Sequence, residues 1–219
     1  VLRMQRPERG WGKPFAVQLI RAAAQHVRAT DPLATHLVVG DLSKKGGGCI
    51  PPHRSHRGGM DADIGYYMHG GDQRGWLGLA RPETLDADRT WQLLSAFMAT
   101  DRLQYAFIDY GLQAPLYDAA LRAGETAASL SRVFQYPRPR GASKSSVIRH
   151  LKGHADHMHV RFLCPRVGPC VVDAKLRHQL QSLRQARHGG GRPHRISGRH
   201  GSRSRSATVR HSTIMPRGW

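Results

Sequence analysis

No stretch of this chain approaches the roughly 18 consecutive apolar residues that a membrane-spanning helix needs, which excludes such a helix from the sequence given. Internal repeats are absent too, so a solenoid reading has no support. The opening Val1-Leu2-Arg3-Met4 lacks the apolar segment of a secretory leader, and a first residue of Val suggests a processed or truncated product. Cysteine is scarce: three residues allow one intrachain pair, with one thiol left over. Acidic residues are few, 15 against 34 Lys and Arg, and none follows Asp173.

That last absence apportions the charge. The formal net charge is +19, and 11 positive residues lie beyond Asp173, which leaves +8 on the first 173 residues. From His188 the composition collapses to Arg, His, Gly and Ser (RHGGGRPHRISGRHGSRSRS). Such a segment buries too little apolar surface to offset its ordering entropy, so residues 188–219 are expected to be a disordered basic tail behind one domain over 1–187. A basic tail can bind phosphate backbones by counterion release, and a nucleic-acid-binding protein is the alternative reading from another class. No recognisable nucleic-acid-reading module accompanies the charge, however, and a basic tail serves equally to hold a protein near anionic wall polymers.

At 219 residues the chain suffices for one domain with a proper core, and 24 Gly with 13 Pro point to a loop-rich one. Pro14–Ala29 reads as an amphipathic helix with proline in its first turn. His36–Leu42 is a short strand-like run, followed by a basic glycine-rich loop and Pro51-Pro52. Met60–Tyr67 alternates polar and apolar, as a half-buried strand does. Helices are expected at about Asp88–Thr100, at Pro115–Ala123 ahead of Gly124, and at Val172–Arg187. Strands are expected at Tyr105–Tyr110 and His157–Leu163. Cys164 and Cys170 bracket the turn CPRVGPC, close enough to bridge if it folds back, and Cys49 is left over. A disulfide there fits an oxidising compartment such as the periplasm.

Two local clusters stand out among the 14 histidines: His53-Arg-Ser-His56-Arg-Gly-Gly-Met-Asp61-Ala-Asp63, and His154-Ala-Asp-His157-Met-His159. On a strand, residues i and i+2 share a face, so His157 and His159 should project together while Met158 and Val160 enter the core. Two imidazoles side by side suit a metal ligand beside a proton-transfer group. His56 precedes a Gly58-Gly59 turn, and Asp63 lies on the strand beyond it. Two nitrogens and one carboxylate leave a fourth position open on tetrahedral zinc, as catalytic sites do. An isolated H-x-H is more often a surface pair, so it is the joint occurrence of the clusters that favours a metal. Asp61 and Asp63 share a strand face, and spacing alone does not separate them.

The segments SHRGGMDADIGYY and GHADHMHVRFLCP together resemble the penicillin-insensitive murein endopeptidases, within a wider group of lysostaphin-like and D-alanyl-D-alanine zinc peptidases. The resemblance spans roughly residues 9 to 170. It implies an α+β fold with a small, mainly antiparallel sheet carrying the zinc site, flanked by helices. It further implies zinc on His56, Asp63 and His159, with His157 as general base or transition-state-stabilising histidine and His154 as its assistant. Asp61 would orient a ligating histidine. Some relatives hold a second metal through a His like His53 with an Asp and a His from mid-chain. Residues 70–150 offer no matching Asp-x-x-His, so one zinc is expected, and His53 is read as a second-site ligand, a substrate contact or a residue orienting a ligand. The trailing Cys-Pro and Cys resemble a short disulfide loop of those enzymes, pairing Cys164 with Cys170. The implied substrate is the cross-linked peptide of peptidoglycan, cut at a D-alanyl–diaminopimelyl bond in the periplasm or outside the cell. A D,D- or L,D-carboxypeptidase would use the same metal site. Arginines such as Arg54, Arg57 or Arg149 could orient the substrate's carboxylates.

Overall fold

The computed structural model describes residues 1–71, 76–139, 145–164 and 174–185. Within them the elements run β1 (Leu2–Met4), α1 (Pro14–Thr30), β2 (Leu37–Val39), β3 (Asp61–Ile64), α2 (Ala87–Met98), β4 (Leu103–Phe107), α3 (Tyr110–Arg122), α4 (Ala127–Val133), β5 (Ile148–Arg149), β6 (Met158–Phe162) and α5 (Ala174–Gln185). Cys170 and the tail from 188 onward lie outside the described residues.

The strands form one sheet in the order β1-β2-β3-β6-β4-β5. The expectation of a mainly antiparallel sheet is corrected here: the sheet is mixed. Its centre, β2-β3-β6-β4, is antiparallel, but β1 joins β2 and β5 joins β4 in parallel. Parallel neighbours need a crossover rather than a hairpin. Between β1 and β2 that crossover is α1; between β4 and β5 it is α3 and α4.

Alternation across the pleat divides the sheet into two chemically different faces. Ala62 and Ile64 of β3, Met158, Val160 and Phe162 of β6, Ala106 of β4 and Ile148 of β5 are all fully buried. They belong to one apolar cluster with Phe15, Leu19 and Ile20 of α1 and with Leu93, Leu94 and Phe97 of α2. Phe97 meets Phe162 edge to face, with centroids 5.4 Å apart. Burying a side chain of this size stabilises the fold by about 2–3 kcal/mol before entropy is counted. The other face carries Asp61, Asp63, His159 and Arg161, with Tyr105 and Phe107 of β4 beside them, in register Asp63↔His159↔Phe107 and Asp61↔Arg161↔Tyr105.

Local chemistry explains the element ends. Pro14 opens α1, where its missing N–H costs nothing. Asp86 caps α2 by accepting from the Arg89 amide, 3.1 Å, and it also pairs with the Arg89 guanidinium. Asp109 accepts from the Gly111 amide, so α3 begins at Tyr110 and Pro115 sits inside it rather than opening it. Met60–Tyr67 narrows to β3, and it is buried on both faces rather than half-buried because the carboxylates of Asp61 and Asp63 lie inside the site.

Candidate metal centre

Asp63 and His159 are direct cross-strand partners at the centre of the sheet, and β3 and β6 hold them rigidly. His56 reaches them from the loop between β2 and β3. That loop is seated by a close backbone approach: Gly59 has φ +69°, its carbonyl accepts from the Lys13 amide at 2.8 Å, and a Cβ there would lie 2.8 Å from the Gly12 Cα. Only glycine fits both the left-handed turn and the contact.

His56 Nε2, Asp63 Oδ1 and His159 Nδ1 form a nearly equilateral triangle with edges of 3.0, 3.1 and 3.1 Å. Tetrahedral zinc with ligand bonds of about 2.0–2.1 Å would set neighbouring ligand atoms roughly 3.4 Å apart, so this triangle needs only slight expansion to hold the ion. Burial is nearly complete: His56 is 0%, Asp63 3% and His159 6% exposed.

The imidazole tautomers also suit a metal. His56 Nδ1 lies 3.1 Å from the Leu42 carbonyl. A carbonyl only accepts, so Nδ1 carries the proton and Nε2 presents its lone pair to the triangle. His159 Nε2 lies 3.1 Å from Asp61 Oδ1, and by the same logic it donates there, leaving Nδ1 for the triangle. Asp61 is fixed in turn by Arg161, whose Nη1 donates to both carboxylate oxygens at 3.1 and 3.2 Å. Asp61 is thereby placed to orient the His159 ring.

Hydrogen bonding shifts the titration of both His159 and Asp63. Burial disfavours a charged His159, but hydrogen bonds to Asp61 and Asp63 override it and raise its pKa to about 9. Burial likewise opposes ionisation of Asp63, yet hydrogen bonds from His159 and His56 hold its carboxyl far below the usual carboxylate range.

The remaining histidines stand at the more open side. His157 Nδ1 bonds Asp156 Oδ1 at 2.7 Å, and its Nε2 lies 3.6 Å from Asp63 Oδ1. Because the Asp156 carboxylate accepts from Nδ1–H, the Nε2 lone pair faces the triangle. His154 donates from Nδ1 to the Leu151 and Lys152 carbonyls, and its ring lies 4.9 Å from that of His157. Burial, then the neighbouring His157 and His159, lower its pKa. The Tyr66 hydroxyl donates to the His154 carbonyl at 2.9 Å and ties this loop to the segment after β3.

His53 lies closer to the centre than the sequence expectation required. His53, His56 and Asp63 also offer ligand atoms within 4.8 Å of one another. However, His53 Nε2 is 2.9 Å from Asp41, while its Nδ1 stands 3.8 Å from Asp63 Oδ2. The triangle through His159 is tighter, with edges of 3.0–3.1 Å against the 3.8 Å from His53 to Asp63.

Asp41 and Asp156 were missed in the sequence. Asp41 is fully buried and pairs with Arg6, Arg9 and His53, each at 2.9 Å. Asp156 sits inside the second cluster, where its adjacency to His157 was the available signal.

Together, an α+β scaffold carries a buried His–Asp–His triangle beside a carboxylate-oriented histidine, a donor set of the kind that can hold a metal ion. Comparison with known proteins finds two similarities. The model for penicillin-insensitive murein endopeptidases matches residues 1–92, which include His56 and Asp63. A penicillin-insensitive murein endopeptidase of Haemophilus influenzae is 28% identical over 175 residues, covering 75% of this chain and 55% of that protein. The chain is thus similar to penicillin-insensitive murein endopeptidases, and it spans about half the length of this relative.

Proposed function

We propose that this protein is a zinc-dependent peptidase that hydrolyses the D-alanyl–diaminopimelyl cross-links of bacterial peptidoglycan. The observation carrying this reading is the triangle of His56 Nε2, Asp63 Oδ1 and His159 Nδ1, with both imidazole tautomers fixed from behind. Similarity to penicillin-insensitive murein endopeptidases supports the substrate class.

His56, Asp63 and His159 would hold one zinc. When bound, the ion supplies Lewis acidity toward the scissile carbonyl and promotes deprotonation of water near neutral pH. His157 accepts the water proton at Nε2 and returns it to the leaving amine, with Asp156 holding the ring in the required tautomer and stabilising its charged form. His154 packs against His157 and limits how far that ring can swing. His53, held by Asp41, stands as a wall of the site and a substrate contact.

The protein is further proposed to act in the periplasm or outside the cell, with a Cys164–Cys170 disulfide and with residues 188–219 forming a basic tail that meets anionic wall polymers. No described helix is long and apolar enough to cross a membrane.

The test is a digest of purified peptidoglycan by zinc-loaded protein beside His159→Ala, with products resolved by mass. Conversion of cross-linked dimers to monomers by the intact protein alone is the expected outcome. Release of a terminal alanine instead would assign a carboxypeptidase to the same site, and an unchanged digest despite bound zinc would overturn the substrate class.

A further inference from the structure

The register of the sheet extends the site beyond the triangle. The row Asp63↔His159↔Phe107 continues to Arg149 on the parallel edge strand β5. Two strand spacings separate His159 from Arg149, about 10 Å. The gap is floored by aromatic rings: Phe107 lies 5.8 Å from His159, Tyr105 lies 4.5 Å from Phe107, and the Arg149 guanidinium sits 5.3 Å from the Tyr105 centroid. A half-exposed aromatic floor therefore runs from the triangle to one cation.

Arg149 differs from the other arginines near the site. Arg161 spends its charge on Asp61, at 3.1 and 3.2 Å. Arg54 and Arg57 are exposed on the loop. Arg149 is fixed at two points, by Nε donation to the Ser146 carbonyl and by its stack on Tyr105, yet no described carboxylate lies within ion-pair distance of it. A guanidinium with Nε engaged keeps its two terminal nitrogens as a fork matched to a carboxylate. Holding it in place beforehand removes much of the ordering cost of binding.

We infer that Arg149, at the end of the Tyr105–Phe107 floor, is a carboxylate-binding subsite that seats an acidic group of the substrate peptide about 10 Å from the hydrolytic centre. The inference rests on the peptidase reading for its ligand, and it makes Arg149 a determinant of specificity for acidic over amidated peptides.

The test uses the zinc-loaded full chain and two probes that are not cross-linked: the tetrapeptide L-Ala-D-Glu-diaminopimelate-D-Ala, and the same peptide with every carboxylate amidated. Calorimetric titration of the wild type is expected to favour the acidic peptide by about tenfold or more, the scale of a hydrogen-bonded charge pair. Arg149→Gln is expected to erase most of that preference, while Arg149→Lys keeps part of it. Arg132→Gln, which removes the same charge from the exposed face of α4, is expected to leave the preference intact. Equal binding of the two peptides by the wild type, or an unchanged preference in Arg149→Gln, would overturn the subsite. So would equal losses in Arg149→Gln and Arg132→Gln, since net charge alone would then explain the effect. The peptidoglycan digest separates the two levels. If cross-links are cleaved while Arg149 proves irrelevant, only the subsite falls; if nothing is cleaved, the reading beneath it falls as well.

Discussion

The two faces of β3 and β6 are made from alternate residues of the same few turns of chain, yet they do opposite things. One face presents Ala62, Ile64, Met158, Val160 and Phe162 to α1 and α2, and it consists of apolar contact alone. The other presents Asp61, Asp63, His159 and Arg161, all charged or titratable and held by reciprocal hydrogen bonds. Such a polar cluster is expensive to bury unless every member is satisfied. The apolar face provides the stability that allows the polar face to exist, and the strand period keeps them separate.

The division can be broken from either side. Phe162→Ala, on the apolar face, is expected to lower unfolding stability by about 3–5 kcal/mol while the folded fraction still binds zinc one to one. Chemical denaturation paired with metal analysis checks this. His157→Ala, at the rim of the polar face, should do the reverse: kcat falls by roughly 10²–10⁴ with zinc content and melting temperature nearly unchanged. Steady-state hydrolysis of a cross-linked peptide dimer measures it. Asp61→Asn leaves the triangle in place but removes the charge behind His159. Zinc affinity should weaken by about 10- to 100-fold, read by competition with a chelator.

Protons sharpen the same contrast. In the metal-free protein the pKa of His159 is raised from 6.5 to about 9. Its ion pairing with Asp61 and Asp63 therefore stabilises the metal-free fold fully below pH 6.5, and that contribution is lost as pH rises through about 9. Asp63 is displaced the other way, so its contribution is present above the ordinary carboxylate value of 3.8 and fades only in acid. Zinc must displace the His159 proton, so zinc affinity should rise by roughly tenfold per pH unit between 7 and 9. A pH-independent affinity over that range would show that this proton is not the one displaced.

The polar face was the more legible part of the sequence. D-x-D and H-x-H impose a two-residue period over strands long enough to show it, and the family resemblance then selected Asp63 and His159. The glycines after His56 marked the turn that Gly59 makes against Gly12. The sheet edges were not legible: β1 and β5 have three and two residues, too few for any period, and their parallel pairing depends on crossovers rather than local sequence. α4 was hidden in a short run whose signal is the Thr126–Ser129 capping box. Asp41 could not be found from its surroundings, because its partners Arg6 and Arg9 lie more than 30 residues away in sequence.

The central claim is that the metal sits on His56, Asp63 and His159 rather than on His53, His56 and Asp63. Zinc stoichiometry of His159→Ala and His53→Ala, measured after dialysis against a competing chelator, tests it most directly. The account predicts that His53→Ala retains close to one zinc per chain and His159→Ala retains essentially none. Retention by His159→Ala with loss from His53→Ala would contradict it.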